Sequence, residues 1–203
     1  MSEIKAGTGR RARKGRRTRE RIAEVALALF LERGFEETTL DAIAEAADIS
    51  RRAFFNYYAT KEAILDAVDE GIHDAFRATL TSASREQKPI EAVHTALQQM
   101  IGHYANDEAI AIDRLMQSTD ALRARKQANY ARQEEALFAA LCEIWRDSRR
   151  RPGLRLVAMV GIGAMRVAAD RWREAPDKRP LARELDHAFR ELHSEMSSDS
   201  ATS

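Results

Sequence analysis

Apolar residues recur along this chain at helical spacing, interrupted at a few sharp breaks. Ile22, Val25, Ala26, Leu29 and Phe30 follow the i, i+3, i+4, i+7, i+8 pattern of a one-faced helix. They predict a helix from about Arg16 to Arg33, closed by Gly34 at the C′ position. Leu40, Ile43, Ala44 and Ala47 make a short amphipathic helix with Thr39 as its N-cap, and Ser50 caps a second short one. A fourth helix begins after Thr60 and carries Ile64, Leu65, Val68, Ile72, Phe76 and Leu80. The stretch 81–89, TSASREQKP, is the clearest break. Beyond it lie one stripe of Leu97, Met100, Ile101 and Tyr104 and another of Leu137, Phe138, Leu141, Ile144 and Trp145. Arg151-Pro152-Gly153 separates the latter from an unusually apolar helix, Leu154 to Trp172, which Ala175-Pro176 ends. A last amphipathic helix carries Leu181, Leu185, Ala188, Phe189, Leu192 and Met196. Strand alternation, glycine-rich phosphate loops and internal repeats are all missing from the sequence, so the predicted class is all-α. The predicted division is a mobile basic arm at 1–15, an N-terminal helical domain at 16–76, a second helical domain at 77–197 and a polar tail at 198–203.

Two short helices joined by Ala47-Asp48-Ile49 form a helix-turn-helix, the motif whose second helix enters the DNA major groove. That second helix carries Arg51, Arg52, Asn56 and Tyr57 outward, with Phe54 and Tyr58 available to pack inward. Arginine and asparagine present the donor geometry that suits base edges. Ser50 and Phe55 complete the DNA-facing set, and Thr39, Tyr57 and Lys61 are expected on phosphates, Thr39 and Lys61 from helix N-termini.

The residues 39–62, TLDAIAEAADISRRAFFNYYATKE, resemble the TetR family of transcriptional regulators. The resemblance rests on Ile43-Ala44, Ile49-Ser50, Phe54-Phe55, Tyr57-Tyr58 and Lys61-Glu62. The chain departs from the family pattern at Asp48, where glycine is usual, at Ala53, where threonine is frequent, and at Tyr57, where histidine is common. Asp48 is tolerable there because aspartate enters the left-handed region more readily than most residues. The resemblance implies a DNA-binding regulator with an operator as partner and a small-molecule cavity in the second domain. The stretch Ala164 to Leu192 also resembles a subgroup that includes mycofactocin-type regulators, which implies an acyl-CoA-like effector.

Charge distribution agrees with a nucleic-acid partner. Residues 1–22 carry nine Lys or Arg against Glu3 and Glu20, a net +7. With +1 for all 203 residues, the remainder carries −6. A basic arm on a mildly acidic body suits a DNA-binding tail, with Arg10, Arg13 and Arg16 as its expected contacts. A merely solubilising tail is the bland alternative. Hydrophobic residues at 44% and charged ones at 32% place the chain among soluble globular proteins.

Little else invites chemistry. Cys142 alone excludes an intramolecular disulfide framework and a cysteine-cluster metal site. His73, His94, His103, His187 and His193 lack a metal-ligand spacing, and Glu134-Glu135 and the pair Glu191 and Glu195 fit solvated helix faces. The sequence therefore predicts no catalytic residue, no metal and no cofactor. The polar, basic N-terminus lacks a signal-peptide core, and the longest apolar run, Leu156 to Met165, is too short for a membrane span, so a cytoplasmic location is expected. Met100, Tyr104, Arg114, Leu115, Met116, Tyr130, Phe138 and Trp145 are the expected effector pocket, although such a stripe also makes ordinary core. Arg123, Arg125 and Lys126 join Arg114 as candidate phosphate partners. A homodimer is expected, because one helix-turn-helix buries too little surface for operator specificity. Gly161, Gly163 and Ala164 would permit close helix approach in its interface. The expected function is a ligand-responsive repressor released from a pseudo-palindromic operator. The alternative is an effector-independent, architectural DNA-binding protein with a solid C-terminal core.

Overall fold

The computed structural model describes residues 3–82, 86–102, 106–174 and 179–197. Among them the chain is helical throughout: α1 Glu3–Arg33, α2 Leu40–Ala46, α3 Arg51–Phe54, α4 Lys61–Thr81, α5 Pro89–Gly102, α6 Asn106–Gln117, α7 Asp120–Ile144, α8 Arg151–Glu174 and α9 Leu181–Ser197. Two compact units result, one of Met1–Gly71 with Ala111–Thr119, the other of Ile72–Ile110 with Asp120–Ser203. The division falls inside α4, five residues before the expected 76/77 boundary. It also assigns the end of α6 to the first unit, which no pattern in the sequence signals.

The first unit is built on the buried face of α1. Ile22, Ala26, Leu29 and Phe30 close over Ile43, Ala44, Phe54, Tyr58, Ile64 and Leu65, all buried. Gly34 ends α1 with a φ of 90°, a conformation that favours glycine. Thr38, itself buried, places its hydroxyl 2.7 Å from the Gly34 carbonyl and 3.2 Å from that of Leu29. It so satisfies the helix end that would otherwise lie unpaired. Thr39 then caps α2 by accepting from the Ala42 N–H, and Ser50 caps α3 by accepting from that of Ala53. Between them Asp48 takes the expected left-handed turn, with φ 51°.

α1 departs from expectation at its start. It begins at Glu3, so the stretch expected as a mobile arm is helical. Alanine, arginine and lysine are strong helix formers, and their propensity outweighs the cost of about 1 kcal/mol at each interspersed glycine. The break after α7 is also used differently. Ser148–Arg150 form a 3-10 turn, and Pro152 and Gly153 lie in the first turn of α8 rather than before it. Proline fits there because the first helical N–H has no partner to lose.

In the second unit α8 packs against α5, α7 and α9. Leu154, Ala158, Ile162 and Ala168 of α8 meet Val93, Leu97, Leu137, Leu141 and Leu185 in one core. Charged clamps tie its helices: Arg77 with Glu143, Arg155 with Glu134 and Glu135, and Arg171 with Glu191. His94 Nε2 lies 2.8 Å from Asp186 Oδ1, and Gln98 donates to the same oxygen at 2.6 Å, joining α5 to α9. Among the described residues, the helix around α8 is the one long and apolar enough to cross a membrane on length and composition. The uncharged run Leu156 to Met165 is only part of that helix, and packing among three other helices accounts for the apolarity.

Candidate nucleic-acid interface

The reading helix owes its geometry to two aromatic anchors. Phe54 and Tyr58 are buried, and their ring centroids lie 6.3 Å apart. The Tyr58 hydroxyl donates to the Arg19 carbonyl at 3.2 Å, and the Arg19 guanidinium lies over the same ring at 4.8 Å. Burial pushes the Tyr58 phenol above its ordinary pKa, and the Arg19 side chain opposes that rise. The phenol is thus neutral and available to donate. With Phe54 and Tyr58 turned inward, the opposite side of the segment must face out. Arg51, Arg52, Phe55 and Asn56 are exposed there, and Tyr57 is half-buried.

The expected phosphate partners divide. Thr39 is exposed at its cap position. Lys61 instead donates its ammonium to the Phe35 carbonyl at 2.6 Å and the Glu36 carbonyl at 3.2 Å, and lies 4.6 Å from the Phe35 ring centroid. In the free protein this lysine holds the turn after α1. Arg13 is exposed on α1 rather than on a mobile arm, Arg16 is exposed on the same helix, and Arg10 lies outside the residues whose side chains are described.

Arg51 carries a feature the sequence pattern did not single out. It donates to Asp41 Oδ2 of α2 at 2.8 Å, both side chains being exposed. Its guanidinium also lies over the exposed Phe55 ring at 5.9 Å. The signal was present, since Asp41 is polar on the outward side of a short amphipathic helix, but its partner lies across the turn.

The residues expected to form an effector pocket are divided between the two units. Arg114, Leu115 and Met116 belong to the first compact unit, whereas Met100, Tyr130, Phe138 and Trp145 belong to the second. Trp145 is buried in the core, and Met100, Tyr130 and Phe138 pack against it. Arg151 and Arg155 lie over the Phe138 ring at 5.2 and 5.1 Å, and Arg166 over Tyr130 at 5.1 Å. Cations from α8 thus lie over the rings of Phe138 and Tyr130. Arg114 is exposed, Arg123 pairs with Asp120, and Tyr104 lies outside the described residues.

A different residue faces inward without a partner. Asn129 lies on the α7 stripe that joins the buried Leu122 to the buried Leu137, and its Oδ1 is buried with no hydrogen-bond partner. The same stripe carries Lys126 and Gln133, both half-buried, so the middle of this inward face is polar. A period of three to four through 122, 126, 129, 133 and 137 could have revealed it.

On the outer side, an open groove of about 1020 Å³ runs along α5, α8 and α9, bounded among others by Ile90, His94, Leu156, Val160, Phe189 and Met196. It contains none of the expected pocket residues. Leu156, Met159 and Val167 continue this apolar surface along α8, each more than two-fifths exposed. Among the described residues no group of His, Cys, Asp and Glu could hold a metal.

Comparison with known proteins agrees with this geometry. Residues 22–68 match the model of bacterial regulatory proteins of the tetR family, and residues 87–197 match that of the MftR C-terminal domain. The HTH-type transcriptional regulator TcmR of Streptomyces glaucescens is 30% identical over 95% of this chain and 90% of its own. The chain belongs to the TetR family. It is a DNA-binding transcriptional regulator, not an enzyme. Among solved structures, the TetR-family repressor FadR of Thermus thermophilus in complex with lauroyl-CoA is 31% identical, with a TM-score of 0.52 over 88% of this chain and 94% of that one. SmeT, the repressor of a Stenotrophomonas maltophilia multidrug efflux pump, shares the fold at a TM-score of 0.60 and 21% identity, over 84% and 85% of the two chains.

Proposed function

We propose that this TetR-family regulator is a cytoplasmic homodimeric repressor that reads a pseudo-palindromic operator and leaves it when a lipophilic, acyl-CoA-like effector binds the second domain. The observation that carries the reading is the outward set Arg51, Arg52 and Asn56, fixed by the inward anchors Phe54 and Tyr58. Guanidinium and carboxamide groups fit guanine and adenine edges in the major groove, and the turn's exposed caps lie beside them for the backbone.

The dimer is supported by the uncovered face of α8. Leu156, Met159, Val160, Gly163 and Val167 follow one another at helical spacing, and a Cβ at Gly163 would meet nothing within 4 Å. An apolar stripe of this length beside the groove along α9 suits a second copy related by a two-fold axis. Two reading heads then address two half-sites, and their spacing becomes part of the recognition.

The effector is supported by the MftR-type domain and by FadR, which was solved with lauroyl-CoA. Asn129 adds a buried acceptor awaiting a donor, at a cost that a ligand N–H or O–H would relieve. An effector acts only through its different affinity for the DNA-bound and released states. The second reading, a regulator without effector, is favoured by one specific observation: Phe138, Tyr130 and Trp145 pack with core and cations.

Fluorescence anisotropy on a selected operator distinguishes the two. Addition of lauroyl-CoA, lauric acid and free CoA in separate titrations should release the protein with lauroyl-CoA alone. Equal release by lauric acid would remove CoA from the proposal, and no release by any of them would favour the effector-independent reading.

A further inference from the structure

We infer that Asp41 is a positioning residue for base readout: its carboxylate holds the Arg51 guanidinium in the orientation that reads guanine, and it restrains the same arginine from binding phosphate indiscriminately. The inference deepens the reading above and rests on Arg51 being a base-contacting residue.

Three observations on the page combine. Arg51 opens α3, and the N-terminal residues of a recognition helix are those that reach base edges. Its side chain is exposed and long, so without a restraint it would sample many rotamers and lose entropy on meeting a base. The restraint is present: Nη1 donates to Asp41 Oδ2 at 2.8 Å, while the Phe55 ring lies beneath the guanidinium at 5.9 Å. A planar group touched by a carboxylate at one nitrogen and an aromatic face below has its plane and direction set. Its remaining N–H groups are then free to make the paired contact with guanine O6 and N7.

Charge gives Asp41 its second effect. A carboxylate on the DNA-facing side opposes the polyanion everywhere along a duplex, and its pairing with Arg51 offsets one of the cations that bind phosphate. At the correct base, guanine's acceptors repay the arginine; at a wrong one they do not. Removing the carboxylate should therefore strengthen nonspecific binding while weakening discrimination, two effects of opposite sign. A residue that only supported the fold would weaken both.

The test uses the full-length protein with Arg51→Ala, Asp41→Asn and the double variant. Asp41→Asn keeps the side chain's size at the first turn of α2, and Asp41→Ala serves as the second variant if its thermal unfolding matches that of the parent. Each is titrated against a selected operator, its single-base variants and an unrelated duplex. Arg51→Ala should cost roughly tenfold or more in discrimination at one guanine of each half-site. Asp41→Asn should lose most of that discrimination at the same guanine alone, bind the unrelated duplex a few-fold more tightly, and steepen the salt dependence by up to about one in slope. In the Arg51→Ala background, Asp41→Asn should change discrimination at that guanine no further. Full discrimination in Asp41→Asn, or weakening spread evenly over operator and unrelated DNA, overturns the role of Asp41 while leaving Arg51 as a reader. Unchanged base preference in Arg51→Ala overturns the base-reading assignment itself, and the inference with it.

Discussion

Lys61 of α4 donates its ammonium to the backbone carbonyl of Phe35, 2.6 Å away, and covers the ring of the same residue. The lysine therefore fastens the turn that leads into α2. Lys61→Met should destabilise the protein by about 1–2 kcal/mol, the value of charge-assisted hydrogen bonds discounted for partial exposure. Its salt dependence of DNA binding should match the parent's. Denaturant unfolding beside salt-dependent titration checks both; unchanged stability with a slope shallower by about one would show a phosphate role instead.

Two glycines of α8, two positions apart, should behave oppositely. A Cβ on Gly161 would lie 2.6 Å from Val93 Cγ1, so Gly161→Ala forces α5 and α8 apart and should cost about 1–3 kcal/mol. Gly163 has open space, so Gly163→Leu should leave the fold intact and abolish dimerisation. Thermal unfolding and sedimentation velocity separate the two variants. A Gly163→Leu protein that remains dimeric would remove this face from the interface.

Arg52 is exposed on the reading helix. Arg52→Ala should relax preference at one base position of each half-site by about 1–3 kcal/mol, with little change elsewhere. Titration of single-base operator variants checks this, and identical relative affinities for parent and variant would show that Arg52 reads no base.

The helical pattern was legible wherever neighbours in sequence decide the structure. Phe54 and Tyr58 turn inward as their spacing requires, Gly34 ends α1, and Asp48 takes the left-handed turn. The interface failed to show itself wherever a partner lies far along the chain. Lys61 resembles a free helix-terminal cation until Phe35, 26 residues earlier, folds beneath it. Nothing near Phe138 and Tyr130 in sequence signals the α8 arginines that lie over their rings. Asn129 was legible in principle, since a polar residue at the buried phase of α7 breaks the apolar stripe. The helical start of α1 was not, because three glycines weigh against a helix that the arginines and alanines nonetheless form.

Exposed Arg13, Arg16 and Arg17 on α1 should add affinity without sequence preference. Deleting residues 1–17 should leave the first unit's core intact, because from residue 13 onward the buried residues begin at Ile22. The truncated protein should bind operator and unrelated DNA more weakly by a similar factor, with a shallower salt slope. An unchanged slope would make this stretch a solubilising extension only.

Selection of bound duplexes from a random pool, followed by stoichiometric titration of the recovered site, tests the central claim most directly. The account predicts one sequence present as two inverted half-sites, two chains bound per site, and a large loss of affinity when either half-site is scrambled. Recovery of no shared sequence, or a single half-site bound as tightly as the pair, would contradict it.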